Sequence, residues 1–542
     1  MLLFDKIITA RGFNKESRAA FLSPDYSLSH DPFLLPDMDK AVRRLVAARK
    51  KQEKVIIYGD YDIDGLTATA LLLDAFGDFG FKNIDVFMPN RFVEGYGMTV
   101  DAIKKIANMN AQLVVTVDCG SLNQKEIMKA NKLGLDVIVT DHHNVADVQP
   151  PAIAVINPKR QDSQYPFADL AGVGVAFKLV QALQTKLGGL SNGQEKWLLD
   201  LVALGTVCDM VPLIGENRIY AYWGLKVLSK AKRLGLKALM LVSGIDAKSV
   251  DSRCLGFKLG PRMNAAGRLE TAQYALNLLL CNDPINALEK AQYLDELNKN
   301  RQIDQNKIFK EAITQADRCT NDSVLVFSDP HWNHGIVGIV ASKLLEKYKK
   351  PTFVLQEIGN ESKGSARSYG DFSVSDAIRF CKDVITKGGG HKLAAGVTLP
   401  TENIDKFKKL INKFYNEQKL VNQQLLLLPK EDAVAELSEI NEELVSLIGQ
   451  LEPFGNGNSQ PILKTENLIV ISIKKIGDNG QHIKMELQDS NGYRMIFLAF
   501  SAPEHFFVEP NTKLSVWYYI DINEWQGAKS VEGKLLHLEV KE

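Results

Sequence analysis

Four acidic signatures recur within the first 210 residues, and three of them directly follow runs of β-branched residues. Val55-Ile56-Ile57-Tyr58 leads into Gly59-Asp60-Tyr61-Asp62-Ile63-Asp64-Gly65. Leu113-Val114-Val115-Thr116-Val117 leads into Asp118-Cys119-Gly120, and Val137-Ile138-Val139-Thr140 into Asp141-His142-His143. The fourth, Cys208-Asp209-Met210-Val211-Pro212, closes an apolar, helix-like stretch. In an open α/β sheet, ligands gather at the carboxyl ends of strands, so acids placed there converge on one crevice. Oxygen donors with an imidazole suit magnesium or manganese, and a pair of such ions is a common means of hydrolysing phosphoesters.

Each signature is weak alone. Asp-x-Asp-x-Asp-Gly also occurs in solvated turns and calcium loops, but a calcium loop needs a Glu six residues after the Gly, where Leu71 stands. Asp118-Cys119-Gly120 reads equally as a helix cap, Asp209 as a turn cap, and the histidine pair as loop residues. Their joint occurrence in this order is what points to a metal cage.

The elements that must position these residues follow from periodicity. From about 54 to 215, short Val/Ile-rich runs alternate with helical patterns, which predicts βαβ units and a parallel sheet. From Pro284 to about Cys319, Leu288, Ala291, Leu294, Leu297, Ile303, Ile308 and Ala312 recur at helical spacing on a polar background, predicting one long helix that bridges two domains. A second α/β region follows, with strands at 324–327 and 352–355. After Pro453 the period becomes two, and short strands separated by turns predict a small all-β barrel of the oligonucleotide-binding (OB) type.

Composition is ordinary for a globular chain: 542 residues, 45% hydrophobic and 24% charged, with 65 basic and 65 acidic residues cancelling. No global field advertises a nucleic-acid partner, although an acidic site and a basic groove would cancel in such a sum. Six scattered cysteines without a C-x-x-C pair argue against a disulfide framework or zinc site, and no apolar run is long enough to span a membrane. A soluble, cytoplasmic protein is expected.

Further motifs make the chain resemble a known family. Asp141-His142-His143 is the name motif of the DHH phosphoesterases. Gly389-Gly390-His391 with Ala394-Ala395-Gly396 resembles the signature of the domain that accompanies DHH in one subfamily. Gly260-Pro261-Arg262-Met263-Asn264-Ala265-Ala266-Gly267-Arg268, His334-Gly335-Ile336-Val337-Gly338 and the OB-like tail complete a pattern similar to the bacterial exonucleases of that family that act on single strands. Pattern and resemblance together, the resemblance running from about Leu35, divide the chain into a helical lead-in over 1–50, a DHH catalytic domain over 51–280, the long helix over 281–320 and a DHH-associated substrate-binding domain over 321–420. A connector over 421–450 and an OB-like nucleic-acid-binding domain over 451–542 complete the order.

It also implies roles. Asp62, Asp64, Asp118, His142 and Asp209 would hold two divalent cations, manganese or magnesium, with Asp60 as a further acid. Asp141 or a backbone carbonyl would hold the second nitrogen of the imidazole ligand, and His143 would support the cage or touch phosphate. Ser365 and Arg367 would form a pocket for a 5′ phosphate, reached by Arg91 from the first domain, because a guanidinium fork meets phosphate oxygens two at a time. Gly389 and Gly390 would admit a phosphate beside His391, or form a bare tight turn. Arg262, Asn264 and Arg268 would line the strand's path. Tyr96 offers a stacking surface, with a packed core tyrosine as the other reading. His331, Trp332 and His334 are assigned to the groove between the domains.

The implied activity is 5′→3′ digestion of single-stranded DNA to 5′-mononucleotides, in recombination and repair. The protein would act as a monomer in the cytoplasm, off the membrane, beside a helicase or single-strand-binding protein. A DHH phosphodiesterase acting on cyclic dinucleotides or short oligonucleotides is the competing enzyme, but such a substrate needs neither the lead-in nor the OB-like tail. A non-catalytic DNA-binding replication scaffold is the alternative of another class. Relatives of that kind are degenerate at the metal acids, whereas this chain keeps the acids and His142.

Overall fold

Valine and isoleucine fill the strands of the first sheet: β1 (Val55–Tyr58), β2 (Ile84–Phe87), β3 (Leu113–Val117), β4 (Asp136–Thr140) and β5 (Ala154–Ile156). In this computed structural model, which describes residues 2–92, 94–95, 97–316, 322–418, 420, 426–477, 479–525 and 527–541, β1, β3 and β5 are buried along their whole length. A strand apolar on both faces needs a helix over each. Helices Val100–Asn108 and Gln124–Lys132 cover one face through Ile103, Ile106 and Ile127. Helices Ile63–Asp78 and Gly172–Gln184 cover the other. The strand order is β2-β1-β3-β4-β5, with every pair parallel. The order reverses between β1 and β3, and a reversal of this kind opens a crevice at the carboxyl ends of the two strands. Asp60 and Asp118 follow those two ends.

The chain divides into two units. One comprises His30–Asp209 and Trp223–Leu427; the other comprises Met1–Ser29, Met210–Tyr222 and Leu428–Glu542. The lead-in expected as one piece is therefore split. Helix Leu3–Ala10 buries Leu3, Phe4, Ile7 and Ile8 in the core of the C-terminal barrel, and Arg11 pairs with Asp432 at 2.7 Å. Helix Met38–Lys51 instead buries Met38, Val42 and Leu45 beside β5 and helix Gly172–Gln184. An amphipathic helix takes whichever apolar surface the fold offers, and that surface can lie hundreds of residues away.

In the larger unit, the second sheet has the order β6 (Leu325–Asp329), β7 (Thr352–Ile358), β8 (Glu361–Arg367), β10 (Ala394–Pro400), β9 (Lys387–Gly390). Only β6 and β7 run parallel within it. The long helix spans Pro284–Ala316, 33 residues, or about 50 Å. Its first part packs on helices Leu234–Val242 and Gly260–Leu269. Its last turns bury Ile308, Ala312 and Ala316 with Phe327 and Val337 of the second domain. The middle corrects the apolar pattern: Ile303 is 65% exposed, while Asn298, Arg301 and Gln305 are buried. The face turned inward at mid-helix is polar, which hydrophobic periodicity cannot register.

The smaller unit is built on a closed barrel. β12 (Leu463–Ile476), β13 (His482–Gln488), β14 (Arg494–Ala499), β16 (Ala528–Val540) and β15 (Lys513–Trp525) are neighbours in that order, and β15 closes onto β12. This is an OB-like arrangement, as the tail's alternating pattern predicts. The expected connector over 421–450 is largely part of this unit. β11 (Ala433–Val434) pairs with β12, and helix Glu442–Gly449 buries Leu444 and Ile448 in the barrel core. Among the described residues, no helix is long and apolar enough to cross a membrane, and Cys119, Cys208, Cys254, Cys281 and Cys381 are free thiols.

Candidate active site

The loop after β1 is fixed by the helix it starts. Asp62 caps helix Ile63–Asp78, its carboxylate accepting a hydrogen bond from the Gly65 N–H at 3.1 Å. Asp64 lies in the first turn, fully buried, and accepts from the N–H groups of Gly172 (2.6 Å) and Val173 (2.8 Å) at the start of helix Gly172–Gln184. The first N–H groups of a helix have no partner inside it and favour a carboxylate. A Cβ at Gly172 would come within 2.7 Å of Asp118 Oδ1, so the helix can approach only without a side chain there. Asp118 adopts φ of 61°, the left-handed region. This conformation costs a non-glycine residue about 1–2 kcal/mol, and the Asp118 N–H bonded to the Thr140 carbonyl at 3.0 Å helps to hold it. Asp209 is the C-terminal cap of helix Leu199–Cys208.

These side chains meet. His142 Nε2 lies 3.2 Å from Asp118 Oδ1, 3.6 Å from Asp209 Oδ2 and 3.8 Å from Asp64 Oδ2. Three sets, Asp60/Asp62/Asp118, Asp64/His142/Asp209 and Asp118/His142/His143, each bring donor atoms within 4.8 Å of one another. Asp141 takes another part. It accepts from the N–H groups of Ser121, His142 and His143 and from His143 Nδ1, the last at 2.9 Å.

Crowding shows in the proton affinities. Burial, and then Asp62, push Asp64 up to about 7. Burial, and then Asp64, push Asp209 up to about 9. Asp60 and Asp118 are raised well above the carboxylate range by burial and by neighbouring acids. Burial and His143 lower His142 to about 3, which keeps its ring neutral and able to ligate. Asp141 goes the other way: burial opposes its charge, but the bond and charge of His143 outweigh it and hold the carboxyl low. Asp60 Oδ1 is buried without a hydrogen-bond partner among the described residues, while Asp141 and the backbone of Leu170 oppose the lowering of the His142 ring's proton affinity. Converging oxygens and one neutral imidazole, so starved of positive charge, fit divalent cations.

A second cluster is cationic. Arg268, half-buried, donates to the Gly335 carbonyl at 3.2 Å. Burial, then Arg91, Arg301 and Arg367, depress it to about 9, with Asp62 as the opposing attraction. Arg91 stacks on Tyr61 with its guanidinium 4.2 Å from the ring centroid. Arg301 is held by Asn298 and Gln305. Ser365 and Arg367 converge on the start of helix Val337–Tyr348, where a Cβ at Gly338 would sit 3.3 Å from both Ser365 Oγ and Arg367 Nη2.

Other expected residues fall differently. Arg262 bonds Asp295 of the long helix at 2.8 Å and so braces two helices; Asn264 is half-buried on the same run. Gly389 and Gly390 form the exposed edge strand β9 and not a loop, while His391 begins the turn back to Ala394. Across the sheet, Ser365, Gly396 and Gly389 stand in one row, and a Cβ at Gly389 would meet open space. Trp332 is core, 1% exposed and bonded to Glu311, whereas the His334 ring meets Phe92 edge-on at 5.0 Å. His331 is exposed, and Tyr96 lies outside the described residues.

Comparison with known proteins agrees with this organisation. Residues 54–206 match the DHH family N-terminal domain, 321–417 the DHHA1 domain and 431–537 the RecJ OB domain. The chain is 34% identical over 524 residues to the single-stranded-DNA-specific exonuclease RecJ of Haemophilus influenzae, covering 93% of this chain and 90% of that protein. The chain belongs to the RecJ family. It is also 37% identical over 532 residues to the Bacillus subtilis RecJ, covering 97% of this chain and 66% of that longer relative. Among solved structures, RecJ from Thermus thermophilus in complex with Mn2+ superposes with a TM-score of 0.82 at 26% identity, over 100% of this chain and 78% of that one. The Mg2+ complex of the same protein gives 0.76 at 25% identity, over 100% and 77%.

Two parts of this RecJ-family site were not legible by motif. Gly172 and Val173 hold Asp64 through backbone N–H groups, and the only signal is the small-residue run Ala171-Gly172-Val173-Gly174. Arg301 lies in a helix whose polar residues read as solvated, and nothing local marks it.

Proposed function

We propose that this chain is a metal-dependent exonuclease that digests single-stranded DNA from the 5′ end and releases 5′-mononucleotides. The observation that carries this reading is the presence, in one unit, of an acid–imidazole cage and a separate arginine cluster, linked by Asp62, which belongs to the cage and attracts Arg268. In this reading Asp62, Asp64, Asp118, His142 and Asp209 hold two divalent ions, manganese or magnesium, with Asp60 as an additional donor. Bound ions would neutralise charge on the attacked phosphate and make water acidic enough to serve as nucleophile. Asp141 keeps a proton on His143, which then presents positive charge to the substrate phosphate.

Arg91, Arg268 and Arg367, with Ser365, bind the terminal 5′ phosphate, and Arg301 adds to their field. Guanidiniums packed together without a matching set of carboxylates are stabilised by a dianion. Holding the terminal phosphate fixes how far the strand enters and therefore which bond lies over the cage. The side-chain-poor row of Gly389 and Gly396 lets the sugar pass close to the sheet, with His391 at its edge, and Asn264 lines the path. The OB-like barrel adds affinity for single strands by charge and stacking. We place the activity in cytoplasmic DNA recombination and repair, with a monomer acting beside a helicase or single-strand-binding protein.

The test is a set of end-labelled single strands, with and without a 5′ phosphate, incubated with each cation. Shortening from the 5′ end, abolished in Asp118→Ala while strand binding persists, supports the reading. Shortening from the 3′ end would overturn the polarity.

A further inference from the structure

Phe257 is 80% exposed, more than any other large apolar side chain among the described residues. It sits in a π-helical turn, Leu255–Leu259, whose end residues are completely buried. Such a turn carries one residue too many for an α-helix and is frequent at functional sites. Here it keeps Leu255 and Leu259 in the core while the ring between them stands in solvent.

The surroundings say what could cover that ring. From Ser252 to Leu269 there are four cations, Arg253, Lys258, Arg262 and Arg268, and no acid. Arg253 and Lys258, which flank Phe257, are exposed. An exposed aromatic ring flanked by two exposed cations suits a single nucleic-acid strand, whose phosphates take the charge and whose bases stack.

The run is also placed along the crevice. At one end, the Leu255 carbonyl lies 3.6 Å from the thiol of Cys208, the neighbour of Asp209. At the other, Gly267 packs so closely on Tyr61 that a Cβ there would come 2.9 Å from its carbonyl oxygen, and Arg268 joins the arginine cluster. A strand with its 5′ phosphate at Arg268 and its first phosphodiester at the cage would continue past Asp209 towards Phe257. Eleven residues of helix separate Arg268 from Phe257, roughly 16 Å, the reach of a few nucleotides.

We propose that Phe257 is a stacking residue for a base a few nucleotides to the 3′ side of the scissile bond, gripping the strand between successive cuts. The inference rests on the 5′→3′ reading above. Its test uses the full chain with divalent ions chelated, so that binding is read without hydrolysis. The probes are a 5′-phosphorylated dinucleotide and a strand of about ten nucleotides carrying 2-aminopurine at successive positions. Phe257→Ala is expected to weaken the longer strand about 10-fold, to leave the dinucleotide unchanged, and to abolish the fluorescence quench at one position. Phe257→Trp is expected to restore affinity, with its indole emission quenched by the strand. Unchanged affinity and quench in Phe257→Ala, or equal losses for both probes, would overturn the assignment. If the wild-type chain digests from the 5′ end while Phe257→Ala binds normally, only Phe257 loses its role. Failure of the wild-type chain to bind single strands would remove the broader reading instead.

Discussion

Nδ1 of His143 lies 2.9 Å from Asp141 Oδ1, while His142, one residue earlier, turns Nε2 to within 3.2 Å of Asp118. Adjacent histidines thus point to different tasks: one is held by an ionised carboxylate, the other is kept neutral among the acids. Of the two holders expected for the ligand imidazole, Asp141 or a backbone carbonyl, Asp141 secures His143 and the backbone around both rings, and the backbone of Leu170 bonds the His142 ring.

Asp141→Asn should therefore impair both chemistry and folding. The amide replaces one acceptor by a donor, so at least one of the N–H groups of Ser121, His142 and His143 loses its partner. A buried donor left unsatisfied costs about 1–3 kcal/mol, and loss of such a support typically lowers activity about 10- to 100-fold. Thermal melts and initial rates on end-labelled strands measure the two effects. His143→Ala should reduce the rate with a smaller change in melting.

The acid cage makes a pH prediction for the chelated protein. Asp64 at about 7 and Asp209 at about 9 bind protons in the folded state that an unfolded chain, titrating near 4, has already released. Between roughly pH 4 and pH 9 the folded state holds more protons, so stability falls as pH rises. Melting temperature without divalent ions should drop from about pH 6 to about pH 9. Manganese should raise it most at the alkaline end, because binding the ion displaces those protons. A flat profile would contradict the crowding of the carboxylates.

Arg301→Ala tests a residue that no motif marks. If its charge belongs to the phosphate cluster, the variant should lose preference for a 5′-phosphorylated end over a 5′-hydroxyl end. Arg367→Ala should do so by about 10-fold or more. Steady-state KM for the two substrates is the readout. Equal weakening for both ends would mean that Arg301 only shapes the long helix.

Gly172→Ala places a Cβ 2.7 Å from Asp118 Oδ1 and 2.9 Å from its Cβ. Overpacking of this kind typically costs about 1–3 kcal/mol. Here it must also move either Asp118 or the helix that holds Asp64. Weaker manganese binding by calorimetry, with secondary structure intact by circular dichroism, is the expected result.

The parts of the site legible in the sequence are those whose neighbours in the chain announce them. A run of Val and Ile followed by Asp states both the strand and the acid at its end, as at Asp60 and Asp118. Arg91, Ser365 and Arg367 came into view through family resemblance, since an arginine in a loop carries no local mark. Ile303 misled, because hydrophobic spacing assumes that the buried face of a helix is apolar, and this helix turns Asn298, Arg301 and Gln305 inward. The pairing of Arg262 with Asp295 has no local mark either, since Asp295 belongs to a different helix.

By itself the chain's order of residues determined the elements, the parallel sheet, the barrel and the types of donor the cage would use, because periodicity and strand-end chemistry are local. Tertiary structure alone decided that the ring of His143 and not that of His142 bonds Asp141, that two backbone N–H groups hold Asp64, and that Arg301 joins three arginines from distant segments. Those outcomes depend on distances between segments far apart in the chain, set by how helices and sheets pack, and no local pattern encodes such a distance.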